Sequence, residues 1–189
     1  TLTFNNTAMM MVSGEGHDLT IESDVKVVRN TTGQLNITPA GRYGSTLTAN
    51  PTLTVKAGSW NYIYAVHGIG INGDVNVVVD GVTCSYISPC YNATVTGNVN
   101  VTVKNSTVTN LYLEPTHTDG KITGNLNVTL GDNAEVTKVD GSNGTVQGVA
   151  TVKLDGADQK IGTMTGYGTG SKLVLSSGVV GAASGFAAT

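Results

Sequence analysis

Charge is scarce in this 189-residue chain: only 12% of its residues are Asp, Glu, Lys or Arg, about half the share of an average soluble domain. The ten basic residues are scattered and the formal net charge is −3. Gripping a phosphate backbone takes clustered positive charge, so nucleic acid is not an expected partner. No apolar run approaches the ~18 residues that a membrane-spanning helix needs, so no membrane span is expected. The opening, "TLTFNNTAMMMVSG", lacks the basic n-region of a signal peptide. The chain is therefore expected to be a fragment of a longer, processed protein, flanked by other domains. Aromatic residues amount to 5% and cysteine to two.

What is abundant is Thr, Asn, Val and Gly, with 25 glycines. β-Branched residues favour strands, and Asn and Gly favour tight turns, so the composition leans away from helices. The two cysteines, in "CSYISPC", admit two readings. Cys84 and Cys90 could close a small disulfide loop, which would place the chain outside the cytosol, or they could be two buried thiols. A zinc site is disfavoured, because two thiolates do not complete it and no His is close in sequence.

The dominant signal is repetition. "INGDVNVVVDG" (71–81) aligns with "VTGNVNVTVKN" (95–105), "ITGNLNVTLGD" (122–132) and "VQGVATVKLDG" (146–156). "LTANPTLTVKAG" (47–58) extends the series upstream. "LTIESDVKVV" (19–28) is aligned to it with an offset of 28, and "SKLVLSSG" (171–178) reads as a degenerate last copy. "TLTFNN" reads as a cap or a further turn. Apolar columns recur at Ile71, Val95, Ile122 and Val146; at Val77, Val101, Val128 and Val152; and at Val79, Val103, Leu130 and Leu154. Gly73, Gly97, Gly124 and Gly148 make another column. A strand with one apolar face cannot bury that face alone, whereas stacked copies share a continuous core. The pattern predicts an all-β fold, a right-handed parallel β-helix of about seven coils with roughly 24-residue repeats. Stacked at about 4.8 Å per coil, it would form a rod roughly 35 Å long. A second strand is expected after each turn, as in "WNYIYAV" (60–66), "CSYIS" (84–88), "TVTNLYL" (107–113) and "AEVTKV" (134–139). One domain is expected over 1–189: residues 1–45 form a cap and first coils, 46–168 the regular coils, and 169–189 a last coil and tail. The alternative, an antiparallel sandwich with a turn every 8–12 residues, fits the long period poorly.

On "GDVNVVVDG", "GNVNVTVKN" and "GNLNVTLGD", residues 45–168 resemble the solenoid repeats of large bacterial surface proteins, including adhesin-like proteins of Gram-positive gut bacteria. The resemblance implies an exported, wall-associated structural or adhesive module, extracellular and surface-bound. Its partners would be host or cell-wall glycans or surface proteins. It transfers no catalytic residue, and the paired glycines of the family pattern occur here singly, at Gly81 and Gly156.

Since β-helices also carry polysaccharide lyases and glycoside hydrolases, enzymatic chemistry must be weighed. A hydrolase needs paired carboxylates on one face. Asp74, Asp80, Asp132 and Asp155 fall near strand ends, but no coil supplies a pair, and Asp74 aligns with Asn98 and Asn125. Arg29 and Arg42 lie upstream of the best repeats, and no acidic cluster suggests calcium. His17, His67 and His117 are read as loop residues, with His117, Asp119 and Glu114 as the nearest approach to a cluster. Ser13, Ser59 and Ser106 lack a nucleophile-elbow context, and "GYGTG" (166–170) lacks the lysine of a phosphate loop. No catalytic residue, metal site or cofactor is assigned. Thr-x-Thr pairs raise ice binding as a further alternative, although Asn, Val and Lys interrupt the threonine columns. The sequon Asn36-Ile37-Thr38 is read as a by-product of a polar outer face.

The best binding candidate is aromatic. Trp60, Tyr62, Tyr64, Tyr86, Tyr91 and Tyr112 make six of the chain's ten aromatic residues. Pointing outward from neighbouring coils, they would form a platform for sugar rings. Strict alternation puts Trp60, Tyr62 and Tyr64 on one face, which conflicts with an inward Ile63. The functional expectation is a non-enzymatic adhesin-like or stalk module with glycans as its ligand class. A carbohydrate-active enzyme is the alternative.

Overall fold

The computed structural model describes residues 1–30, 32–42, 44–141, 146–168 and 170–186. They form 21 strands and, among the described residues, no helix. Every strand pairing is parallel. The chain is a β-solenoid of about seven coils with three faces.

The first face stacks seven strands: Leu19–Ile21, Thr52–Val55, Val75–Asp80, Val99–Lys104, Leu126–Leu130, Ala150–Leu154 and Ser171–Leu175. Their registers match the repeat residue for residue: Val77 lies on Val101, Val101 on Val128 and Val128 on Val152. Val75, Val77 and Val79 point inward while Asn76 and Val78 point outward. That period of two is what a sheet with one buried face imposes. Each fully buried valine contributes roughly 1.5–3 kcal/mol, so the columns are the main source of cohesion between coils.

The second face stacks eight strands, from Met10–Ser13 and Leu35–Thr38 through Ser59–Tyr64, Thr83–Ser88, Thr107–Tyr112, Glu135–Asp140 and Lys160–Gly168 to Val179–Phe186. The third face consists of two-residue strands at Leu47–Thr48, Ile71–Asn72, Thr94–Val95 and Lys121–Ile122, continued by a bridge from Ile122 to Val146. The glycine column sits just after this short face. A Cβ on Gly97 would lie 2.4 Å from the Gly73 carbonyl oxygen, and one on Gly124 would lie 2.3 Å from that of Gly97. Glycine recurs there because the backbone of one coil rests directly on the next.

Two expectations are revised, in the first coil and in one strand, and both ends gain a defined place. Leu19 lies on Leu53, 34 residues on, and not on Leu47. The extra length before the second face holds Val27–Arg29, which pairs with Leu2–Phe4 in a separate two-stranded sheet, so "TLTFNN" is a further paired element. The "SSGVVGAASGFAAT" tail supplies the last strand of the second face as Val179–Phe186; residues 187–189 and Thr169 lie outside the described residues. Asn36 and Thr38 are fully buried, not displayed on an outer face, and the Asn36 Oδ1 accepts a hydrogen bond from the Tyr62 backbone N–H at 3.1 Å.

Candidate aromatic groove

The second face does not alternate. In Ser59–Tyr64 the inward residues are Trp60 and Ile63, three apart, and the same spacing recurs at Cys84 and Ile87, Val108 and Leu111, and Val136 and Val139. Between these coils the ladder skips one position, at Asn61, Ser85, Thr109 and Thr137. That skip lets two successive residues face out, and it removes the conflict between Tyr62 and Ile63.

Trp60 is therefore not part of any outer platform. It is 2% exposed, its Nε1–H donates to the Ala57 carbonyl at 2.9 Å, and Phe4 meets its ring edge-on at 6.5 Å. The five tyrosines do come together. Tyr62 stacks on Tyr86 at 4.4 Å between ring centroids and on Tyr64 at 5.0 Å, and Tyr86 stacks on Tyr112 at 6.2 Å. Tyr64 meets the edge of His67 at 4.7 Å and lies 5.7 Å from Tyr91. His67 stacks on Tyr91 at 4.8 Å, and Tyr91 reaches His117 at 5.0 Å. Seven rings from successive coils thus form one connected ladder. The two histidines were the part that sequence reasoning missed. Their signal was available: His67 lies 24 residues before Tyr91, in register with it.

An open groove of about 620 Å³ runs beside the ladder. Tyr62, Tyr64, His67, Tyr91 and Asn92 form one wall, and Met9, Gln34 and Arg42 come from the N-terminal coils. Burial, reinforced by the neighbouring tyrosines, pushes the Tyr62 and Tyr64 phenols above their ordinary range. Burial also raises Tyr112, with Tyr86, Asp140 and Glu114 adding to it. His67 is shifted the other way, first by burial and then by the Arg42 guanidinium, against a smaller pull from its own backbone. Its Nδ1 is buried and has no hydrogen-bond partner among the described residues. At neutral pH these tyrosines and His67 are uncharged, a surface suited to stacking and to neutral hydrogen bonding.

The other candidates have structural places. Asp74 Oδ1 accepts from the Asn98 backbone N–H at 2.7 Å, and Asp132 Oδ1 from that of Ala157 at 2.7 Å. Asp80 pairs with Lys104 at 3.3 Å, and Asp155 with Lys153. His17 is exposed in a turn, and His117 Nδ1 lies 3.6 Å from Asp119. Among the described residues, no group of three or more His, Cys, Asp and Glu is placed to hold a metal. The disulfide is corrected to the other reading: both cysteines are free and buried. Cys84 points into the core between Trp60 and Val108 of the adjoining coils, and the Cys90 thiol is directed at the Ala93 carbonyl at 3.0 Å. On the first face, the outward column Thr54, Val78, Thr102, Thr129, Lys153 is not a continuous threonine rank. No helix among the described residues is long and apolar enough to cross a membrane.

No family model matches the chain, and no curated protein or solved structure matches it either.

Proposed function

We propose that this chain is a non-enzymatic, extracellular module of a bacterial cell surface, adhesin-like in kind, that binds glycans in its tyrosine groove. The observation that carries the proposal is the ladder of Tyr112, Tyr86, Tyr62, Tyr64 and Tyr91 beside an open groove. Tyr62 already stacks on Tyr64 and Tyr86, and Tyr91 on His67, so the ladder meets a sugar through ring edges and phenol groups, with amides such as Asn92 and Gln34 to meet its hydroxyls. Rigid aromatic side chains bring large contact area at low conformational cost. The parallel stack fixes part of this spacing, because Tyr62 lies in register on Tyr86 and His67 on Tyr91.

A glycan array probed with the chain tests this reading. Binding to a defined set of sugars is expected, with Tyr62→Ala and Tyr91→Ala each weakening it about tenfold or more, as for central aromatic anchors. Uniform absence of binding would leave a spacer as the better reading.

A further inference from the structure

The two outer coils leave the stack open. The first face runs from Leu19–Ile21 to Ser171–Leu175 and the second from Met10–Ser13 to Val179–Phe186. Among the described residues, each of these four strands lacks a neighbour on one side. Native sheets blunt such edges with charge, proline or a covering segment. Val179–Phe186 is eight residues long and contains neither a charge nor a proline. The two most exposed large hydrophobic residues among those described, Val179 at 65% and Leu175 at 58%, both belong to the last coil. In the first coil, Val12 and Leu19 are only partly buried.

Charge distinguishes the two outer coils. Residues 1–24 hold Glu15, Asp18, Glu22 and Asp24 and no Lys or Arg, while residues 159–186 hold Lys160 and Lys172 and no Asp or Glu. Glu22 is paired with Lys56, and Lys160 with Glu135. Register matches the outer coils as well. Asp18 precedes Leu19 and so begins the column that runs through Thr52, Asn76, Asn100, Asn127 and Thr151 to Lys172. Leu19 and Leu173 stand at opposite ends of one inward column, and Ile21 and Leu175 at opposite ends of the next.

We propose that copies of this chain associate head to tail, the last coil of one seated on the first coil of the next, with Lys172 against Asp18, Leu173 against Leu19 and Leu175 against Ile21. Each added copy continues the columns at the ordinary strand spacing of about 4.8 Å, which a lysine side chain spans easily. On the second face, the column that starts at Val12 ends at Ala183, and Met11 shares one with Ala182. Bulky side chains of one copy thus meet small ones of the next. The contact joins two different surfaces, so a pair still offers both surfaces to further copies and grows into a rod. Two last coils facing each other would instead set one basic surface on another.

Sedimentation velocity of the unmodified chain from about 10 µM to about 1 mM, the span of weak contacts, tests this together with electron microscopy of the concentrated sample. An open series of species is expected, with rods whose lengths are multiples of roughly 35 Å, the height of about seven coils. Lys172→Asp should weaken association about twofold to fivefold, as for one exposed ion pair, and adding Asp18→Lys to it should restore the association. Leu175→Lys should weaken it about tenfold or more. Leu175 is exposed in the single chain, so this variant keeps its fold. Mixed with the unmodified chain, it should shorten the rods, because it can join through only one of its two outer coils. Should Asp18→Lys disturb the fold by losing the hydrogen bond that Asp18 accepts from the Thr52 backbone N–H, the mixing experiment decides alone. A monomer throughout the concentration range would overturn the proposal. So would a series that stops at a dimer, the mark of two last coils paired with each other, or rods unaffected by Leu175→Lys.

Discussion

Trp60 and Tyr62 stand two residues apart in one strand and meet opposite surroundings. Trp60 fills the core against Phe4, while Tyr62 is half-buried in the outer ladder. Truncating them should therefore separate stability from binding. Trp60→Ala is expected to destabilise by about 3–5 kcal/mol, the cost of emptying a large buried site. Tyr86→Ala, also half-buried, is expected to cost about 1 kcal/mol or less. Urea denaturation of the two variants measures both. The buried thiols offer a second residue-scale readout. Burial pushes Cys84 up to about 12 and Cys90 up to about 11, whereas an exposed thiol in the unfolded chain titrates near about 8.5. A group whose folded pKa is raised contributes stability that is fully present below the unfolded value and is lost as pH rises towards the folded one. Thermal stability is expected to fall as pH climbs from 8 towards 11, and less steeply in Cys84→Val, whose new side chain matches Val108 in the same column. Scanning melting temperature against pH checks the sign: a rise, or an unchanged slope in the variant, would contradict the assignment.

At the scale of a strand, the polar side of the first face has its own order. The Asn100 Nδ2 donates to the Asn76 Oδ1 at 3.0 Å, and the Asn100 Oδ1 accepts from the Asn127 Nδ2 at 2.9 Å. At a net ~0.5–1.5 kcal/mol per hydrogen bond, Asn100→Ala should cost about twice as much as Asn127→Ala in chemical denaturation. This face was readable in the sequence because its side chains obey the period of two that a one-sided sheet enforces, so alignment of the copies already gave the registers. The second face was not, since its inward residues stand three apart and the skipped ladder position leaves no mark in residue type. Strict alternation consequently turned Trp60 outward. The first coil was misaligned for a related reason. "LTIESDVKVV" contains two short strands with different partners, and only Leu19–Ile21 belongs to the first face. As for the groove, the tyrosines were legible as a concentration in sequence. Arg42 was not, because it comes from an irregular N-terminal coil that no repeat specifies, whereas His67 could have been placed by its 24-residue offset from Tyr91.

Across the whole molecule, each coil is held mainly by the coils directly before and after it, which makes stability a sum of local and nearest-neighbour terms. Val101 lies 2% exposed between Val77 and Val128, so a charge there damages two interfaces at the centre of the stack. Leu173 is half-buried in the last strand of the first face, which pairs with one strand of that face, placing Leu173 on Val152. An unpaired buried charge is costly enough to open the structure around it, and the two positions should differ in how far the opening spreads. In Leu173→Asp, amide exchange is expected to quicken in Ser171–Leu175 and Val179–Phe186, while protection of Val75–Asp80 and Val99–Lys104 stays near its original level. In Val101→Asp, protection is expected to fall on both sides of the substitution, in the strands around Val77 and Val128 together. Hydrogen exchange followed by mass spectrometry resolves these segments. Loss of protection through the entire chain in Leu173→Asp would mean that the coils unfold as a single unit. The nearest-neighbour account of the stack would then fail, because a lesion at one end could not reach the far end through contacts that couple only adjacent coils.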